Sequence, residues 1–349
     1  MDLNLSDEQQ QLVGSFGALY AKESPTERVR AAEPTGHDAE LWLRLKENGA
    51  LEMAVDERSG GWGASLLDLA LVAEQHGRYL GAAPLIEAQV AARLLARLGS
   101  NPAGRALLGS AIAGTRLVTL ALHPPTDGVL SLVPAGAVAD DVVFFDGGSL
   151  RHIALGGDDR RAVTNIGSLP LADIVVPVSA TELASGSGAI GAFDEAVNDW
   201  MILVAGSLVG IAARSIEIGV EYVKGRKAFG VPIGSFQAVS HGLADAATAL
   251  DGGTLLAREA AWSAEIEPER TLELGALAFG FCTETAREAS YRSLHYHGGY
   301  GFMLEYDIQL YFRRARAWPA QFGEPDTAFA LAAARRLAAR EQAGLEQEL

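Results

Sequence analysis

Apolar residues recur at helical spacing through the first third of the chain. Leu12, Val13, Phe16, Leu19 and Tyr20 mark a first helix, and Ser6 with Gln9 reads as the capping box that starts it. Leu41, Trp42, Leu45 and Leu51 predict a second helix. Ser59-Gly60-Gly61-Trp62-Gly63 predicts a glycine-rich loop, followed by helices over Leu66 to Tyr79 and Leu85 to Leu98 with Gly99 as a stop. The rhythm changes near Thr115. Leu117-Val118-Thr119-Leu120, Val142-Val143-Phe144-Phe145 and Ile174-Val175-Val176 are short strand-like runs, separated by Gly, Pro and Asp clusters such as Pro124 to Gly128 and Asp146-Gly147-Gly148. Ser185-Gly186-Ser187-Gly188 reads as a linker. From Phe193 the helical period returns almost to the end, broken at Gly225 to Gly234 and at Gly298-Gly299-Tyr300-Gly301. The expected fold is mainly α with a small β-domain: an N-terminal helical domain over 1–114, a β-domain over 115–184 and a C-terminal helical bundle over 185–349.

Charge narrows the partners. The 349 residues carry 28 Lys+Arg against 44 Asp+Glu, a formal charge of -16, which argues against nucleic acid or an anionic membrane surface. A phosphorylated ligand remains compatible, because a few local arginines suffice. The single cysteine, Cys282, lies in an apolar run and reads as a buried structural thiol. No basic-then-apolar leader follows Met1, and the strongest apolar run, Trp200 to Ala213, is short for a bilayer, so a cytoplasmic protein without a membrane span is expected. No His, Cys or carboxylate grouping has metal-ligand spacing.

Two motifs in the last third carry a resemblance. Arg226-Lys227-Ala228-Phe229-Gly230, followed by Phe236-Gln237, resembles the R-x-x-F-G…Q signature of acyl-CoA dehydrogenases. His297-Gly298-Gly299-Tyr300-Gly301, then Glu305-Tyr306 and Arg313, is similar to their G-G-x-G segment. Leu5 to Gln9, Glu57 to Gly63 and Glu74 to Arg78 resemble the family's N-terminal domain, in the right order. The resemblance implies a helical N-terminal domain, a middle β-domain, here reduced, and a C-terminal four-helix bundle, with FAD bound across a subunit interface. It assigns Arg226, Phe229, Gln237, His295, Gly298, Gly299 and Gly301 to the cofactor. A guanidinium suits a pyrophosphate, a ring suits a flat cofactor face, and glycines allow close backbone approach. His295 stands where the family has glutamine. Each residue alone also fits a plain reading, as a solvated Arg, a core Phe or a turn glycine.

Departures from the family bear on chemistry. The T-E-P-x-x-G-S-D segment beside the flavin has little counterpart in Leu122 to Gly128, and the tryptophan-bearing segment is missing. The glutamate that removes the α-proton is absent from both family positions, which hold Phe322 and Trp200. Glu324 and Glu195 lie close in sequence and are expected to be solvated or capping groups. No catalytic residue is therefore assigned to this chain. The pattern fits a subset of the family that forms α2β2 heterotetramers, in which a second acyl-CoA dehydrogenase-like subunit supplies the base and most of the acyl-CoA site. Such enzymes act on steroid side chains linked to CoA. The alternative is a non-catalytic homo-oligomer that binds FAD or acyl-CoA.

Overall fold

The computed structural model describes residues 4–99, 101–157 and 159–347, with side chains to 341; the leader reading above rests partly on residues 1–3, outside this range. Six helices come first: α1 (Asp7–Glu23), α2 (Thr26–Ala32), α3 (Ala39–Glu47), α4 (Leu66–Arg78), α5 (Leu85–Arg97) and α6 (Pro102–Ile112). Seven strands follow: β1 (Val118–Leu120), β2 (Val129–Val133), β3 (Asp141–Asp146), β4 (Ser149–Ala154), β5 (Arg160–Ala162), β6 (Ala172–Val175) and β7 (Thr181–Ser185). The remainder comprises α7 (Ser187–Gly225), the two-residue strands β8 (Lys227–Ala228) and β9 (Val231–Pro232), α8 (Gln237–Ile266), α9 (Pro268–Tyr296), α10 (Ile308–Ala320) and α11 (Pro325–Gln347).

The expected capping box forms at the start of α1. Gln9 N–H donates to Ser6 Oγ at 3.2 Å, and Ser6 N–H donates back to Gln9 Oε1 at 3.1 Å. The expected linker does not exist. β7 runs to Ser185 and α7 begins at Ser187, so Gly186, at φ 78°, makes the change of direction alone. Glycine permits that turn without steric cost. Small polar residues there indicate a tight junction, not a flexible tether.

The chain divides into two compact units. One holds Glu23–Leu69 and Ala82–Trp200; the other holds Met1–Lys22, Ala70–Gly81 and Met201–Leu349. In the first, the strands form two small sheets, ordered β1-β3-β4-β7 and β2-β6-β5. Leu130, Val133, Ala172 and Ile174 from one sheet and Val142, Phe144 and Ile153 from the other share an apolar core. Beside it, the buried Asp141 accepts from Arg116 Nε at 2.5 Å and from His152 Nε2 at 2.7 Å. These partners hold its carboxyl below the usual range against the opposing effect of burial.

In the second unit, α4 and α7 approach backbone to backbone. A Cβ on Gly77 would lie 1.9 Å from the Ser207 carbonyl, and one on Gly210 would lie 2.0 Å from the Glu74 carbonyl. Ser207 Oγ adds a hydrogen bond to Ala73 O at 2.9 Å. Tyr20 O–H lies 2.9 Å from His76 Nδ1 inside this core, and burial lowers the His76 pKa to about 3. The imidazole is therefore neutral at physiological pH. α7 is long and apolar enough to cross a membrane, but 78% of its apolar window is buried within the protein, as befits a core helix. Cys282 is buried as expected, its thiol pushed up to about 12.

Candidate functional site

The first motif folds as a hairpin at the C-terminal end of α7. β8 and β9 are joined by Phe229 and Gly230 at φ 54° and 84°, the two left-handed positions of a tight hairpin turn. Glycine adopts such a conformation freely, whereas phenylalanine does so at a cost in strain. That strained residue is also 97% exposed, its ring 6.3 Å from Phe236 and edge-on to it. Arg226 N–H donates to Tyr222 O at 2.8 Å and Ile233 N–H to Arg226 O at 2.8 Å, so the hairpin base is fixed. The Arg226 side chain is exposed. Gln237, also exposed, opens α8 directly after the hairpin.

The second motif lies against the first. The Tyr222 ring, in the last turn of α7, stacks on His297 at 3.9 Å between centroids. His297 Nδ1 lies 2.7 Å from Ser293 O, a carbonyl that only accepts, so Nδ1 carries the proton. Burial lowers its pKa, which keeps the ring neutral. His297 thus links the two motifs. Gly301 is required sterically, since a Cβ there would meet Leu294 O at 2.5 Å. Gly298 adopts φ 60°, and no atom lies within 4 Å of an added Cβ at Gly298 or Gly299. Their backbone is open to a ligand.

Gly242 of α8 packs so closely on Tyr296 of α9 that a Cβ would lie 2.1 Å from its hydroxyl oxygen. This contact brings the start of α8, with Gln237, toward the end of α9, with His295. His295 is exposed, 5.9 Å from the Tyr291 ring. All seven residues assigned from sequence therefore cluster at one end of this unit.

The two base positions hold aromatics with core roles. Trp200 is 1% exposed, and Phe322 packs edge-on against Phe279 at 5.7 Å. Glu324 points to solvent, 66% exposed, and pairs with Arg287, whose Nη2 lies 3.2 Å from Oε1. That partner lowers its carboxyl pKa, the wrong direction for a proton-abstracting base. Glu195 is 56% exposed and engages Arg97 Nε at 2.9 Å. Leu122 to Gly128 ends in a closed turn: Thr126 and Val129 exchange N–H···O bonds of 2.9 and 3.0 Å, with Asp127 and Gly128 at φ 51° and 75°. The backbone at this point of the β-domain is satisfied internally.

Two features escaped the sequence reading. Glu87 of α5 is a lone carboxylate in the apolar run Leu85 to Val90; burial raises its pKa to about 7, and Trp200 is its side-chain hydrogen-bond neighbour. The other is Asp199. Arg93 Nε and Arg97 Nη2 converge on its Oδ2 at 2.7 and 2.6 Å, and both hold the buried carboxyl ionised. Spacing along α5 gives the arginine pair, but nothing in the sequence names the distant Asp199 as partner.

Comparison with known proteins agrees with this architecture. Residues 6–115 match the acyl-CoA dehydrogenase N-terminal domain, and residues 191–337 match the C-terminal domain. The chain is 31% identical to the acyl-CoA dehydrogenase IpdE2 of Mycolicibacterium smegmatis, over 92% of this chain and 96% of that one. It is 27% identical to the acyl-CoA dehydrogenase FadE27 of Mycobacterium tuberculosis, over 90% and 93%. Among solved structures it resembles the ChsE4-ChsE5 complex from Mycobacterium tuberculosis, with a TM-score of 0.84 at 26% identity over 98% and 99% of the two chains. The Tcur3481-Tcur3483 steroid acyl-CoA dehydrogenase shares the fold, with a TM-score of 0.86 at 23% identity over 95% and 99%. The chain belongs to the acyl-CoA dehydrogenase family, whose members are FAD-dependent oxidoreductases acting on CH–CH bonds.

Proposed function

We propose that this chain is the base-lacking subunit of a heteromeric acyl-CoA dehydrogenase, paired with a second acyl-CoA dehydrogenase-like chain in an α2β2 assembly. The observation that carries the reading is that neither family base position holds a carboxylate. Trp200 and Phe322 are packed aromatics, and Glu324 is a solvated, ion-paired group. The other half of the machinery is retained: the Arg226–Gln237 hairpin and the His297–Gly301 turn share one exposed edge. Arg226 would bind the FAD pyrophosphate, and the strained Phe229 would lie on a flat face of the cofactor. Gln237 and His295 would hydrogen-bond to its polar rim, beside the open backbone of Gly298 and Gly299. Gly301 maintains the turn.

Held by Arg226, Phe229, Gln237 and His295, FAD would supply the capacity to take up hydride from the substrate β-carbon, and a carboxylate of the partner would take the α-proton. This chain orients the cofactor and leaves the chemistry to its neighbour. A bulky CoA-linked steroid side chain is the proposed substrate class, supported by similarity to the Tcur3481-Tcur3483 steroid acyl-CoA dehydrogenase. The test is co-expression with a candidate partner. Flavin and dehydrogenase activity should appear in the copurified complex; a homogeneous preparation of this chain that turned over acyl-CoA would refute the assignment.

A further inference from the structure

One cavity is lined by no residue of the proposed cofactor edge and by neither of the two base positions. It lies within the first compact unit, between the last turns of α5 and the segment that precedes α4, and holds about 280 Å³. Arg93, Ala96 and Arg97 form its α5 wall; Ala54, Val55, Asp56 and Ser59 form the facing one. Ligand pockets start at roughly 300 Å³, so an occupant must be small.

The α5 wall carries a donor that the protein leaves unused. Asp199 Oδ2 accepts from Arg93 Nε and Arg97 Nη2 at 2.7 and 2.6 Å, and the exposed Glu195 takes Arg97 Nε at 2.9 Å. Arg97 Nη1 is buried without a hydrogen-bond partner among the described residues. Two guanidiniums thus share one buried carboxylate, and solvent screens the other anion, Glu195. An unsatisfied guanidinium donor has a physical reason when a ligand oxygen completes it, and a carboxylate is an acceptor it binds well. The facing wall has the opposite charge. Asp56 Oδ1 accepts from Ser59 N–H at 2.8 Å, and the Ser59 side chain bonds to it as well, which holds the carboxyl below its usual range. Asp56 opposes a simple anion, as does the chain's excess of acid, but it attracts an ammonium. Ala54, Val55 and Ala96 add an apolar lining. One carboxylate, one ammonium and a short apolar side chain on a single small molecule describe an α-amino acid.

We propose that this cavity binds a small apolar α-amino acid as its zwitterion, the carboxylate on Arg97 and the ammonium on Asp56. The inference does not depend on the proposed function. Calorimetric titration of the full chain with L-valine, isovalerate (valine without its ammonium) and isobutylamine (valine without its carboxylate) tests it. Valine should bind saturably and at least tenfold more tightly than either. Arg97→Gln should weaken valine at least tenfold, the loss expected for a charge-assisted contact. That change also removes a partner of Asp199, so Asp56→Asn provides a second variant. Asp56 is exposed, and asparagine keeps an oxygen that can accept from Ser59. Valine should again weaken at least tenfold, isovalerate should not weaken, and the melting temperature should show a folded chain. Saturating FAD should leave valine bound, which separates this cavity from the Arg226 edge. Absence of saturable valine binding would overturn the proposal, as would isovalerate or isobutylamine binding as tightly as valine. Displacement of valine by FAD, or undiminished valine affinity in Asp56→Asn, would overturn it equally.

Discussion

Glu324→Gln distinguishes a solvated ion pair from a catalytic base with one substitution. The side chain is 66% exposed, and Arg287 retains 22% exposure. Pairs of this kind contribute between zero and about 1 kcal/mol, so the variant should lose less than about 1 kcal/mol of stability by denaturant titration. Its pKa lies below the ordinary glutamate value, so it is ionised across the neutral range and a poor match for abstracting a weakly acidic C–H proton. Turnover of the copurified complex should therefore stay within about twofold of the parent. A general base contributes roughly 10²- to 10⁴-fold, equivalent to about 3–5 kcal/mol of barrier. The assay is steady-state reduction of an artificial acceptor at saturating flavin, with melting temperature and flavin absorbance measured alongside. A fall of a hundredfold or more with both controls unchanged would make Glu324 the base and refute the reasoning.

Arg226→Ala should weaken FAD retention about tenfold or more, as loss of a charge-assisted phosphate contact predicts, and Gln237→Ala should do so more mildly; flavin content after gel filtration measures both. Asp199→Asn should destabilise the chain by roughly 3–5 kcal/mol, because the largely buried Arg93 loses its anion and Arg97 keeps only the exposed Glu195. A denaturation midpoint within error of the parent would show that the pair is unimportant. Stability should also fall on acidification. His76 is neutral in the fold down to about pH 3 but titrates near the ordinary histidine value of 6.5 when unfolded. Its contribution is thus present above 6.5 and is lost by about 1.4 kcal/mol per unit as pH falls from there toward 3. His76→Gln should flatten that part of the profile, and an unchanged slope would contradict the buried neutral assignment.

The helical framework and the glycine breaks were legible because their signals are local. Ser6 and Gln9 cap as their spacing requires, and the seven motif residues converge because each motif is a continuous segment. Four of the seven β-domain strands were not legible, nor was the β8–β9 hairpin. β2, β4 and β7 mix exposed and buried positions, with Arg151 and His152 adjacent in β4, and the three-residue β5 buries none, so their periodicity is obscured. α6 was also missed, as was α2, which has seven residues and only Val29 and Ala32 buried. Long-range pairings lay beyond reach for another reason. Asp199 meets Arg93 and Arg97, and Glu87 meets Trp200, only after α5 and α7 are packed. Glu87 shows the consequence: an unremarkable glutamate in sequence acquires a raised pKa from desolvation that the fold imposes.

On the proposed function, this chain holds one edge of a flavin whose chemistry belongs to another subunit. Flavin stoichiometry, measured by absorbance on the isolated chain and on the copurified complex, tests it most directly. Little or no flavin is expected on the isolated chain, and one FAD per pair of unlike chains in the complex. Stoichiometric FAD on the isolated, homogeneous chain would contradict it.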